Sequence, residues 1–132
     1  MSNEATPHTD KRPVRVAVPS EYPGGLAAPR SSHFGRADCF TVVQVDGDQL
    51  GEVTVLQNMP HSEGGCMAPV MMLARHGVDV IVVDGIGGRP LAGFNQVGIA
   101  VHAGSGPTVE HSIKAFALDL LPSVDPGSVC QH

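Results

Sequence analysis

The chain's chemistry gathers around Cys66, which follows Gly64-Gly65 and opens an apolar, helix-patterned stretch running to His76. A thiol at a helix start sits among unpaired backbone N–H groups and at the positive end of the helix dipole. Both favour its thiolate. Thiolate is the form that ligates a soft metal or attacks an electrophile. His33 and His61 lie in turn-rich stretches and are the imidazoles that could complete such a site, His33 as second ligand and His61 as an auxiliary. Gly64, Gly65 and Gly87 would leave backbone N–H groups bare to line a cradle, and Arg36 or Arg89 would balance an anionic occupant.

Each residue also has a plainer reading. Cys66 could be a small apolar residue packed at a helix start, His33 a loop hydrogen-bonder, and His61 an exposed member of a Met-Pro-His-Ser-Glu turn. Met67, Met71 and Met72 carry soft thioethers that suit copper(I), yet at helical spacing such residues fill core gaps. His76 in the last helical turn suits the negative end of the dipole. Cys130 and His132 near the carboxyl terminus could add ligands. Spacing narrows the chemistry further. A structural zinc site wants four ligands with pairs such as CxxC, which this chain lacks. A four-iron, four-sulfur cluster wants four thiolates, and the three cysteines include Cys39, inside a strand-like run. A preassembled cluster brings its own sulfides, so it needs only a few terminal ligands and a polar cradle.

A chain of 132 residues fits one domain. Its 8 basic and 13 acidic residues, net charge −5, give nucleic acid no electrostatic footing. No apolar run approaches the roughly 20 residues of a membrane helix. An odd number of cysteines without framework spacing fits a reducing cytoplasm, and the polar amino terminus has no secretory apolar segment. Residues 1–13 read as a disordered tail, 14–121 as the folded domain and 122–132 as a flexible tail.

Period and punctuation give the elements. Val14–Val18 alternates as a strand and is followed by a Gly/Pro loop over 19–32. Cys39–Val45 and Val53–Gln57 form a hairpin turning near Asp46-Gly47-Asp48. Residues 66–76 form a helix stopped by Gly77, with Val70, Leu73 and Ala74 on one side. Val78–Val83 is a β-branched run suited to a strand buried on both faces. A helix over 90–97 ends at Gly98, a strand follows at 99–102, and Pro107 opens a last helix with the stripe Val109, Ile113, Phe116 and Leu120. The order β-β-β-α-β-α-β-α implies a meander followed by two right-handed crossovers. If strand 2 runs against strand 1, then loops 19–37, 58–65, 84–89 and 103–106 share the carboxyl rim where open α/β sheets bind ligands. His33, His61, Cys66, Asp84 and His102 could meet there.

His33-Phe34-Gly35-Arg36, together with GGCMAPVMMLARHGVDVIVVDGIGGRPLAGFNQVGIAVHAG, resembles the dinitrogenase iron–molybdenum cofactor-binding family over about 14–121. The resemblance implies a ribonuclease H-like three-layer α/β fold with about three helices. It also implies a five-stranded mixed sheet in the order 3-2-1-4-5 with strand 2 antiparallel. It further implies non-catalytic carriage of iron–molybdenum cofactor, a precursor or another iron–sulfur-type cluster, with His33 as the ligand carried over. The partners expected are cofactor-assembly proteins or a target metalloenzyme; the carrier itself could be a monomer or a homodimer.

Three classes compete on the residues. A carrier of a metal–sulfur cluster uses Cys66 and His33 as ligands. A thiol enzyme or redox protein uses Cys66 as nucleophile with a histidine base, but the chain offers no evident third orienting group and no CxxC partner. A copper or other soft-metal chaperone is a variant of the first. A two-metal nuclease is excluded, because strand 1 has no acid, helix 66–76 has none, and Asp84 stands nearly alone at the rim.

Overall fold

The computed structural model describes residues 13–31, 34, 37–58, 67–84, 86 and 88–124. The elements are β1 (Val14–Ser20), β2 (Cys39–Asp46), β3 (Gln49–Gln57), α1 (Met67–Arg75), β4 (Val80–Val83), α2 (Gly88–Val97), β5 (Ala100–Ala103) and α3 (Val109–Ala117). They build one five-stranded mixed sheet in the order β3-β2-β1-β4-β5. β2 is antiparallel to β1 and β3, while β1, β4 and β5 are parallel. The expected order and the antiparallel second strand are both present.

Alternation along the strands makes two cores, one on each face of the sheet. Ala17, Phe40, Val42 and Ile81 point to one side and pack with Val70, Leu73, Leu91 and Phe94 of α1 and α2. Val16, Val18, Val43 and Val82 point to the other, under Val109 and Ile113 of α3. The result is the expected three-layer arrangement. All four β4 residues are buried, as a strand covered on both faces requires. Val70 and Leu73 are fully buried, each contributing roughly 1.5–3 kcal/mol relative to exposure.

Several boundaries differ from those read in the sequence, each for a physical reason. β1 continues through Pro19 instead of breaking there. The Pro19 carbonyl accepts from the Ser31 N–H at 2.8 Å, on the side away from β2. Its ring nitrogen therefore lies beyond Ala17, the last β1 residue paired with β4, where no ladder bond is lost. β3 starts at Gln49, directly after a two-residue turn, with an irregularity between Val43 and Val45 of β2. β4 and β5 begin later than the apolar runs, because Val78 and Ile99 belong to helix caps.

α1 and α2 both end in Schellman motifs. Gly77 (φ +75°) and Gly98 (φ +82°) take the left-handed position. Val78 N–H reaches the Leu73 carbonyl at 3.1 Å, and Ile99 N–H reaches Phe94 at 2.9 Å. α3 starts from Thr108, not Pro107, since the Thr108 hydroxyl accepts from His111 N–H at 3.2 Å. Its expected stripe is cut short. Asp119 takes the left-handed cap at φ +64°, so Leu120 leaves the helix line and is 66% exposed. The carboxyl-terminal stretch is held further than a tail from residue 122 implies. Ala103 N–H donates to Pro122 at 2.9 Å and Val124 N–H to Val101 at 2.7 Å, covering the β5 edge.

Candidate functional site: the carboxyl rim

The strand directions put the carboxyl ends of β1, β3, β4 and β5, and the start of β2, on one side of the sheet. Helices α1, α2 and α3 begin on that side. Side chains tie the loops there. Arg30, in the loop after β1, donates from Nη1 to Asp84 Oδ1 at 2.5 Å and from Nε to the Gly106 carbonyl at 2.8 Å. Its N–H also donates to Pro107 at 3.0 Å. The loops after β1, β4 and β5 are thus joined at one residue. Gly104 makes room for this, because a Cβ there would collide with Arg30 Nη1 and meet Val82 Cγ1 at 3.0 Å.

The loop after β3 is tied to the same rim. Asn58 donates its N–H to the Asp38 carbonyl at 3.2 Å and its side-chain amide to the Ala37 carbonyl at 2.7 Å. Residue 37 is where the chain emerges from the HFGR stretch, and residue 58 is where it enters the stretch that leads to Cys66. The anchors of the two proposed ligand segments are therefore hydrogen-bonded neighbours. Phe34 fixes the first segment from within. It is 5% exposed, edge-on to Phe94 at 5.2 Å between ring centroids and 5.7 Å from Phe40. In the HFGR motif the phenylalanine is the anchor.

His33, Arg36, His61, Gly64, Gly65, Cys66 and Gly87 lie outside the described residues, as do Gly85, Cys130 and His132. Arg89 stands in the first turn of α2, its side chain likewise undescribed. Asp84 is at the rim, 38% exposed at its side chain and held by Arg30. His102 is not brought to the rim. Its Nδ1 lies 3.0 Å from the Leu121 carbonyl oxygen, and its ring stands edge-on to Phe116 at 5.3 Å. Met71 is exposed at 46% and Met72 packs against the core. His76 closes the end of α1, Nδ1 2.9 Å from the Met72 carbonyl oxygen. Among the described residues no three His, Cys, Asp or Glu side chains gather to hold a metal.

Cys39 is a free thiol at the start of β2 and fully buried. It lies beneath Ser20 and Glu21, its sulfur 3.8 and 3.9 Å from their carbonyl oxygens. Burial, with a smaller contribution from the Asp38 charge, pushes this thiol above its ordinary value. It is protonated at neutral pH and serves packing. Beside it Ser20 and Thr41 share a 2.8 Å hydroxyl contact, and Thr41 Oγ1 accepts from Gly25 N–H at 3.0 Å. This buried polar pair holds the base of the β1–β2 loop.

Two rim residues escape sequence reasoning. Arg30 sits in an Ala-Ala-Pro-Arg-Ser-Ser run that reads as solvated loop, and its acidic partner is 54 residues away. Asn58 looks like an ordinary residue after a strand. Neither position has a periodic or spacing signal.

With this geometry in view, comparison with known proteins decides the family. Residues 12–118 match the family described as dinitrogenase iron–molybdenum cofactor. The chain belongs to that family. An uncharacterized protein of Methanocaldococcus jannaschii is 27% identical over 88 residues, spanning 65% of this chain and 75% of that one. The crystal structure of PH0822 superposes with a TM-score of 0.72 at 31% identity, covering 84% of this chain and 96% of the other. The apo form of the orange protein from Desulfovibrio gigas gives a TM-score of 0.69 at 25% identity, covering 83% and 92%. The matched region spans every strand and helix, so membership in this family carries the whole fold. No helix among the described residues is long and apolar enough to cross a membrane.

Proposed function

We propose that this protein binds an anionic metal–sulfur cluster, or a precursor of one, at the carboxyl rim and passes it on without catalysing a reaction. The cargo is of iron–molybdenum cofactor or related iron–sulfur type. Cys66 supplies the soft ligand, His33 the second and His61 an auxiliary one. Backbone N–H groups of Gly64, Gly65 and Gly87 line the cradle, with Arg36 and Arg89 as counter-charges. The protein works in the cytoplasm, receiving cargo from cofactor-assembly proteins or delivering it to a target metalloenzyme.

One observation carries the proposal. Asn58 joins residues 37 and 38 to the start of the β3–α1 loop, so the segments bearing the imidazole and the thiol leave from adjacent points. Family membership supports the class of cargo. The one thiol described elsewhere in the fold, Cys39, is buried and protonated, which supports assigning the sulfur ligand to Cys66. A few protein ligands also suit a carrier, since a cluster that brings its own sulfides and holds few protein bonds can be released.

The test is anaerobic purification followed by metal analysis and visible absorption. Bound iron or molybdenum with charge-transfer bands is expected. Cys66→Ala should lower cluster retention at least about tenfold, or about 1.4 kcal/mol. Unchanged stoichiometry and affinity in that variant would remove Cys66 from the site. A colourless protein that takes up no cluster and has a reactive, low-pKa thiol would move the protein to thiol chemistry.

A further inference from the structure

We infer that Arg30 is a positioning residue that holds the cluster cradle in its binding shape; this rests on the carrier reading above. Its side chain is only 9% exposed, so the guanidinium is not displayed for cargo. It reaches two other loops, at Asp84 and at the Gly106 carbonyl, and the Arg30 backbone N–H adds a bond to the Pro107 carbonyl, so the loops after β1, β4 and β5 meet at this residue. The adjoining backbone strengthens the tie. Ser20 pairs with Arg30 and Pro29 with Thr108 in antiparallel bridges, and Gly104 N–H donates to Val83 at 2.7 Å.

Two of the tied loops lead into cradle segments, and the third braces them from α3. Residue 31 precedes the His33 stretch, Asp84 precedes Gly85 and Gly87, and 104–106 lead to α3. A planar fork can hold two acceptors at a fixed angle, which an ammonium cannot do. Nε and Nη1 are already committed to Gly106 and Asp84, so geometry is what Arg30 supplies, more than charge. Gly104 is the counterpart, leaving the volume that the fork fills.

The test compares wild type with Arg30→Gln and Arg30→Lys after anaerobic reconstitution with ferrous iron, molybdate and sulfide. It reads cluster affinity, thermal midpoint and the amide resonances of Ser31, Gly104 and Gly106. Both variants should bind at least about tenfold more weakly while remaining folded, with those amides shifted or broadened. Asp84→Asn, which removes one arm of the tie, should fall between. Wild-type affinity in Arg30→Lys would overturn the inference, because charge alone would then suffice. Lower midpoints with unchanged affinity in both variants would also overturn it, reducing Arg30 to a structural role. If wild type itself takes up no cluster, the carrier reading fails, and the amides still judge the tie. Unperturbed Gly104 and Gly106 in Arg30→Lys would sink that part.

Discussion

The two ends of the sheet solve chain reversal differently. At the amino end of β1 the chain turns within a few residues, at Gly47-Asp48, Gly77, Gly98 and Asp119, and local backbone bonds satisfy the helix carbonyls. At the carboxyl end the loops after β1 and β3 are longer, and side chains far apart in sequence join the loops, Arg30 to Asp84 and Asn58 to Ala37. The first end forms largely from local sequence, with Arg15 reaching the Gly77 turn through its side chain to the His76 carbonyl at 3.2 Å and its N–H to Asp79 Oδ2 at 3.0 Å. The second forms only when the fold is complete, and it is where the proposed ligand segments begin.

Glycine substitutions at the two ends should separate these designs. Gly104→Ala carries the largest effect, on the order of 2–3 kcal/mol, because the new Cβ evicts a buried guanidinium from its partners. Urea unfolding checks it, and in an Arg30→Ala background most of that cost should vanish. Gly77→Ala and Gly98→Ala should each cost about 1 kcal/mol, a purely backbone penalty of the left-handed conformation. A Cβ at Gly98 meets nothing within 4 Å, so steric cost is absent there. Neither should change cluster affinity, whereas Gly104→Ala should. Equal effects of all three on affinity would erase the distinction between the ends.

A pH titration sharpens the contrast at the base of the rim loop. The Cys39 thiol is raised above its ordinary value of 9.0. Below that value the thiol is neutral folded or unfolded, and the full stability is present. As pH rises past it the unfolded chain ionises while the folded one resists, so stability falls until the raised value is passed. Unfolding midpoints measured from about pH 8 to about pH 10.5 should decline, and Cys39→Ala should flatten the decline. The smallest effect belongs to the turn end. Asp119→Gly should raise stability by about 0.5–1 kcal/mol, since a non-glycine residue there holds φ at +64°.

The contrast also explains what could be read in the sequence. Gly77 and Gly98 announce helix ends because their signal is local; the element order follows from the apolar periods, and the strand order from the family resemblance. Pro19 misleads, since a proline normally ends a central strand and only the position of the β4 pairing shows why this one does not. Leu120 looks like the next member of the α3 stripe until Asp119 turns the chain away. Arg30 and Asn58 are invisible beforehand, because their roles exist only through partners 54 and 21 residues distant. His102 fails as a rim candidate for the same kind of reason: the segment after α3 returns and claims its ring nitrogen.

The most direct trial of the central claim is a map of backbone amide resonances before and after anaerobic cluster loading. Shift changes or paramagnetic broadening are expected at Ser31, Asp84 and Gly104–Gly106, with Gly47, Gly77 and Gly98 left unmoved. Perturbations confined to the turn end, or spread evenly over both ends, would contradict that claim.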